Sequence, residues 1–358
     1  MLELEREGLW RTDPRLTKMN EFLKDLAESV RLKEGENISM DSLYLDKDTF
    51  LEVVKSNLGL ISRAFRANLI IPEFFYFQKT LEKFYVECKS NRDGKALNEE
   101  EDPIASQMLE LISGMTDEDA WAVSVCTVDG QRCSFGDCKT YFTMQSCSKV
   151  FAYALAHSEL GKDVVHQYVG QEPSGRDIRE MALDSSGRPH NPMIDSGAII
   201  VCSLLQTMVH PEMRYSEKFE WLRNAFQRIA GNLPIEFNNA AFIASKDISD
   251  GNFAQAFYMR ENKCFPPSGD LKACMDLYLQ SGSMEVTCET MAVMAATLAN
   301  GGICPLTDEQ VLRNVSVRDT LSLMYSCGMD EYSGEFAFKV SIFSCMGLTD
   351  SQNKCNDR

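Results

Sequence analysis

The chain has 358 residues, 44% of them apolar and 9% aromatic, enough for one sizeable core and a smaller one, so two domains are expected. Acidic residues outnumber basic ones by 53 to 36, a formal net charge of −17, which opposes the phosphate-neutralising contacts that dominate nucleic-acid affinity and argues against DNA or RNA as a partner. No apolar run approaches the roughly 18 residues of a membrane span; the longest, Ile199 to Met208, reads as a buried helix or strand, and no membrane partner is expected.

The first residues, MLELEREGLW, mix acids and bases without an apolar stretch, unlike a signal peptide or an Arg-rich presequence. The 13 cysteines are scattered among apolar neighbours, as at Cys126, Cys202, Cys288 and Cys304, which points to reduced thiols in an intracellular compartment. From Asp13 to Glu87 the apolar residues recur at helical spacing, and Phe50, Val53, Val54, Leu58, Ile61 and Phe65 form one stripe after a cap at Asp48 or Thr49. Asp46 and Asp48 hint at an EF-hand loop, but Leu51 stands where a calcium loop needs glycine, so no metal is expected. Lys79 to Arg92 alternates basic and acidic residues like a solvated helix face. Residues 88–103, polar and closed by Pro103, read as a linker between a helical module over 1–100 and a second domain over 101–358. In that domain Trp121 to Val128 reads as a strand, Asp129-Gly130 as a hairpin turn and Gln131 to Phe135 as the returning strand. Lys139 to Met144 then leads into a helix carrying Val150, Tyr153, Ala154 and His157 on successive turns. A hairpin followed by helices predicts an α+β domain with an antiparallel sheet.

Ser146-Cys147-Ser148-Lys149 opens that helix. Its three-residue spacing sets Ser146 and Lys149 on one face. The helix N-terminus favours a developing alkoxide, and a desolvated lysine amine can accept the hydroxyl proton. A Ser-x-x-Lys string alone is weak, because about one is expected per chain of this size; its bland reading is an N-cap serine and a surface lysine. Cys147 is a rival nucleophile, with His157, His166, His190 or His210 as base, but the helix turns it away from Lys149. No metal-ligand spacing occurs.

Longer strings carry more. WAVSVCTVDGQRCSFGD from Trp121, QSCSK from Gln145, VGQEPSG from Val169, PHNPM from Pro189, NKCFP from Asn262, EVTCETMAVMAATLANGGICPLT from Glu285, LSLMYSCGM from Leu321 and SGEFAF from Ser333 resemble, in family order, the glutaminases of vertebrates and bacteria. GLWRTDPRL and LDKDTFLEVVKSN resemble the N-terminal part of the vertebrate kidney and liver-type enzymes. The resemblance implies a serine-dependent catalytic domain of the β-lactamase and penicillin-binding type, preceded by a small helical EF-hand-like module. It implies hydrolysis of L-glutamine to L-glutamate and ammonia without metal or organic cofactor. By that resemblance Ser146 is the acylated nucleophile, Lys149 its base and Tyr278 a member of the proton network. Gln145, Ser146, Asn252 and Tyr278 would line the substrate pocket. The family forms dimers and tetramers, so a homo-oligomer is implied; its vertebrate members are mitochondrial, although no presequence is visible here and a cytoplasmic location is the other expectation.

Several family positions are altered. After NPM the family has Val-Asn where this chain has Ile194-Asp195, replacing an amide with an acceptor-only carboxylate. Ser245 stands in place of a glutamate suited to a ligand's ammonium. Asp330 replaces a tyrosine after Gly-Met, with Tyr332 nearby reading as a core aromatic. Another family tyrosine finds only Pro103 or Leu109, and the gating-loop counterpart, Arg176 to Arg188, differs in sequence. After SGEFAFKV the family continues into a Gly-rich strand that supplies an oxyanion-hole N–H, whereas this sequence reads SIFSCMGLTDSQNKCNDR; the domain therefore reads as incomplete at its C-terminal end, with Ser146 N–H the remaining donor. Two readings are open: a glutaminase using the Ser-x-x-Lys unit, or a catalytically silent relative that acts by binding or by mixing into glutaminase oligomers. A shifted substrate is a third, since Asp195 could take over the pairing with an ammonium.

Overall fold

In the computed structural model, residues 2–34, 43–91, 120–175 and 181–340 are described. The expectations for most of the 88–103 linker, for Pro103 and Leu109, for the first part of the Arg176 to Arg188 loop and for the segment after Val340 lie outside the described residues.

The N-terminal part is helical: α1 (Leu2–Arg6), α2 (Thr17–Glu34), α3 (Lys47–Val54), α4 (Leu58–Phe65) and α5 (Phe74–Ser90). Leu4, Leu9, Leu16, Met19, Val53, Val54, Ile61, Ala64 and Leu69 close a small core of their own. The cap of α3 is Asp46, whose carboxylate accepts the Thr49 N–H at 2.8 Å; this corrects the expected cap at Asp48 or Thr49 and commits Asp46 to a helix end. The predicted stripe is also narrower than read. Val53, Val54 and Ile61 face the core, while Phe50, Leu58 and Phe65 are exposed, because two short helices joined by a 3-10 turn do not keep the phase of one long helix.

Strands β1 (Ala122–Cys126) and β2 (Arg132–Gly136) pair antiparallel, the hairpin that the Asp129-Gly130 signal predicts, in the register Ala122↔Gly136 to Cys126↔Arg132. Gly130, at φ +83°, supplies the left-handed backbone the turn needs. After β3 (Phe142–Thr143) come α6 (Cys147–Leu160), α7 (Lys162–Tyr168), α8 (Asp195–Thr207) and α9 (Tyr215–Ile229). The chain continues through β4 (Glu236–Phe237), α10 (Asn239–Asp247), α11 (Asp250–Glu261), α12 (Leu271–Gly282), β5 (Met284–Val286), α13 (Cys288–Ala299), α14 (Asn314–Cys327) and α15 (Ser333–Val340). A second antiparallel sheet has the order β3-β5-β4. The α+β class is as predicted, with the sheet in two pieces among the described residues.

The stretch from Gly197 to Leu205 is buried on every side, so the long apolar run is a central helix, α8, packed against α6 and α12. Phe151, Ile199, Leu204, Phe226, Met275 and Met294 meet in one core, with the Phe151 and Phe226 rings edge to face at 6.0 Å.

The N-terminal module is docked on the β1–β2 hairpin through buried polar groups. The Gln131 amide donates to the carbonyls of Glu7 and Ile71, each at 3.0 Å, and its oxygen accepts the Ile71 N–H at 2.9 Å. Asp13, 1% exposed, accepts from Arg15 at 2.8 and 3.0 Å and lies 3.7 Å from the buried Arg132 guanidinium, which also sits over the Trp10 ring at 4.5 Å. Removing the carboxylate leaves an uncompensated buried charge. Asp13→Ala is expected to lower stability by about 3 kcal/mol in urea unfolding, and adding Arg132→Met is expected to recover part of that loss.

Candidate active site

The turn before α6 is held by backbone. Met144 N–H donates to Met284 O and Gln145 N–H to Gly282 O, both at 2.8 Å, so the segment between α12 and β5 sets the start of α6. Gln145 lies at φ +45°, a conformation that costs a non-glycine residue energy and is kept only where the surroundings enforce it. Its side-chain amide donates to Thr143 Oγ1 at 3.0 Å, and the Ser148 hydroxyl donates to its carbonyl at 2.7 Å. Ser146 occupies the N-cap position of α6 without a capping side-chain bond and is exposed. Its hydroxyl is therefore uncommitted, at the end of a helix that favours negative charge.

Lys149 is buried one turn further on. Its ammonium does not reach back to Ser146 but donates to Asp195 Oδ1 at 2.5 Å. Asp195 begins α8, where a carboxylate is favoured by the helix dipole. The turn before it is built by Asn191, whose Oδ1 accepts the Met193 and Ile194 N–H groups at 2.9 and 3.3 Å. A Cβ at Gly197 would overlap the Asn191 carbonyl, so glycine is needed for α8 to approach this turn. Two further donors converge on the carboxylate: the Tyr278 hydroxyl to Oδ1 at 2.8 Å and the Asn252 amide to Oδ2 at 3.2 Å.

Burial pushes the Asp195 carboxyl up, but the Lys149 charge and the bonds from Lys149, Tyr278 and Asn252 outweigh it and hold the group below its ordinary value. Burial, and then the Asp195 charge, push the Tyr278 phenol well above its ordinary range, so Tyr278 stays a proton donor. Asp330, at φ +48° in a 3-10 turn, faces the same pair. Burial raises its carboxyl and the Asp195 charge adds to this, while the Lys149 charge opposes both.

The structure thus joins Lys149, Tyr278, Asn252 and Asp195 in one network, with Ser146 and Gln145 at its edge. It does not join Ser245, which is buried on α10 and makes no hydrogen bond to the Asp195 carboxylate. Tyr332 is not a core aromatic: 41% exposed, it packs against Phe336 and accepts from Lys339 at 3.3 Å, on the solvent side of its turn. Of the four histidines considered as bases for the exposed Cys147, three are engaged elsewhere. His157 bonds Ser316 and Asp319, His166 bonds Tyr153 and the Val169 carbonyl, and His210 meets Trp221 edge to face. Asn191 and Thr143 position the site without being singled out from sequence; an Asn-Pro step is the turn signal that marks Asn191. Two surface hollows, one lined by Tyr325 and Phe338, the other by Cys138 and Glu289, include neither Ser146 nor Lys149.

Helices set against antiparallel strands in this arrangement belong to the β-lactamase-like fold class. Residues 105–348 match the glutaminase family model and residues 1–72 an EF-hand domain model. The chain is 42% identical over 347 residues to a Caenorhabditis elegans protein named for glutaminase, covering 97% of this chain and 55% of that one. It is 41% identical over 339 residues to the mouse protein named glutaminase liver isoform, mitochondrial, covering 95% and 52%. A solved structure titled as a probable glutaminase, ybaS, superposes with a TM-score of 0.63 at 25% identity, over 73% of this chain and 79% of that one. The chain belongs to the glutaminase family, and it spans about half the length of the curated relatives it matches.

Tyr278→Phe removes one charge-assisted bond to Asp195, expected to cost about 1.5–3 kcal/mol. Because the folded Asp195 carboxyl lies below its ordinary 3.8, its contribution is fully present above that value and is lost as pH falls through the lower folded one. Urea unfolding is therefore expected to separate the two proteins at neutral pH and to bring them together in acid.

Proposed function

We propose that the chain hydrolyses the side-chain amide of L-glutamine to L-glutamate and ammonia through an acyl-enzyme on Ser146. The observation that carries this reading is an uncommitted, exposed Ser146 hydroxyl at the start of α6, one helical turn from the buried Lys149. Ser146 Oγ attacks the amide carbon, its proton passes to the Lys149 amine and on to the departing ammonia, and water then cleaves the ester. The Ser146 N–H, at the helix end, faces the developing oxyanion. Gln145 and Asn252 supply amides for the substrate's polar groups, and Tyr278 keeps a proton beside the network. No metal or organic cofactor enters this scheme. The family further brings the expectation of a homo-oligomer, and the mouse relative's name that of a mitochondrial location.

A second reading is favoured by one specific contact. The 2.5 Å pair between Lys149 and Asp195 holds the lysine as an ammonium, and an ammonium is not a base. On that reading the chain is catalytically silent and acts by binding or by joining glutaminase oligomers. Ammonia release from millimolar L-glutamine, with and without phosphate, separates the two. Turnover by the folded chain that falls by at least about a thousandfold in Ser146→Ala supports the hydrolase, and no turnover by a folded, monodisperse sample supports the silent protein.

A further inference from the structure

The Lys149–Asp195 pair bears on regulation of the same site, and its regulatory role rests on reading Ser146 and Lys149 as the acylation unit. We propose that Asp195 is a brake on that unit: by pairing with Lys149 Nζ it withholds that nitrogen from the Ser146 hydroxyl and slows attack by the serine.

Three contacts support the brake. Asp195 Oδ1 takes both the Lys149 ammonium at 2.5 Å and the Tyr278 hydroxyl at 2.8 Å, and Oδ2 takes the Asn252 amide at 3.2 Å. Both oxygens are engaged, and the Ser146 hydroxyl is not part of the network. Around the Lys149–Asp195 pair lie Asp195 itself on α8, the protonated Tyr278 on α12, the neutral Asn252 on α11 and Asp330 in its 3-10 turn. Among the described residues two carboxylates thus oppose one ammonium. Loss of the lysine proton would leave Asp195 half-buried with its cation gone, so the carboxylate resists the step that base catalysis requires. A neutral amide of the same shape at position 195 keeps the oxygen that Lys149 and Tyr278 reach but removes the charge behind that resistance, and its NH2 replaces the oxygen that accepts from Asn252. Asp195 is on this account a positioning residue, acting through Lys149 and not on the substrate.

The test uses a neutral fluorophosphonate, which reports serine reactivity without requiring glutamine recognition. The Oγ–P bond forms, fluoride leaves, and the hydroxyl proton passes to the Lys149 amine. Labelling of the whole chain, Asp195→Asn and Ser146→Ala is tracked by intact mass as a function of pH, the last variant defining label not on Ser146. The wild-type rate is expected to climb towards alkaline pH. Asp195→Asn is expected to label Ser146 about tenfold faster at neutral pH. Equal labelling rates in the two proteins, or no Ser146 labelling in either, overturn the brake; should Asp195→Asn not fold, Asp195→Ser, which also lacks the charge, takes its place with the same expectation. Ammonia release from L-glutamine is measured in parallel. Faster labelling of the variant with no ammonia from either protein keeps the brake and sinks the glutamine reading, whereas equal ammonia release from both keeps the glutamine reading and sinks the brake.

Discussion

One carboxylate at the start of a buried helix gathers donors from three other helices. Asp195 receives Lys149 from α6, Asn252 from α11 and Tyr278 from α12, and the helix it opens is the one around which the larger core is packed. Apolar contacts between α6, α8 and α12 leave the relative rotation of the helices loosely defined, because dispersion and burial are non-directional. The carboxylate adds direction. Its two oxygens have fixed geometry, and a buried polar network tolerates little misplacement before a group is left unpaired. The same constraint fixes the distance between Ser146 and the ammonium behind it, since Ser146 rides on the helix that Lys149 anchors.

Support for the site from outside the helices comes through backbone. The β3–β5 pairing and the bonds from Met144 and Gln145 to the segment after α12 tie the first turn of α6 to the helix that supplies Tyr278. Further out, the β1–β2 hairpin packs on α13 and is clasped at its turn by the N-terminal module through Asp13, Arg15, Gln131 and Arg132. That interface is built from charge and amide groups, so it is specific in register but depends on complete pairing. Arg132 keeps guanidinium atoms without a hydrogen-bond partner, which the Trp10 face and the nearby Asp13 only partly compensate.

Local chemistry was legible in the sequence where the signal is short-range. The Asp129-Gly130 signal marked the hairpin but not its register, which runs one residue away from that of a two-residue turn; the apolar run marked a buried helix or strand, which the fold makes α8, and the spacing of Ser146 and Lys149 placed both at the start of α6. What spacing could not give is the direction of Lys149. The three-residue interval brings it near Ser146, yet its partner stands 46 residues away, and a Coulomb contact to a carboxylate outweighs a neutral hydrogen bond to a hydroxyl. The departure at Asp195 was visible as a change of residue type, but its consequence required the fold. Tyr332 failed for a different reason: an aromatic beside an apolar stretch reads as core, whereas a 3-10 turn between α14 and α15 rotates it to the surface. At Asp46 the misreading was one of phase, because caps precede a helix by a residue whose own side chain carries no periodicity signal.

Stability and reactivity make opposite demands on position 195. A carboxylate at the dipole-favoured end of α8, fully hydrogen-bonded and facing a buried ammonium, satisfies every local rule for a folded protein. The proposed acylation asks instead that Lys149 serve Ser146 while the carboxylate remains. Strain or unmet polar demand at a site usually marks function at the expense of fold; here the sign is reversed, with the polar demand met inside the network and the Ser146 hydroxyl left outside it. Asp330 adds to this asymmetry, since its carboxyl is already held above its ordinary value by burial and by the Asp195 charge. Further negative charge would tighten the grip on Lys149, whereas a cationic group entering between the two carboxylates would compete with Lys149 for Asp195. The electrostatics of the site are therefore controlled by how many cations share two carboxylates, and in the described structure Lys149 alone fills that role.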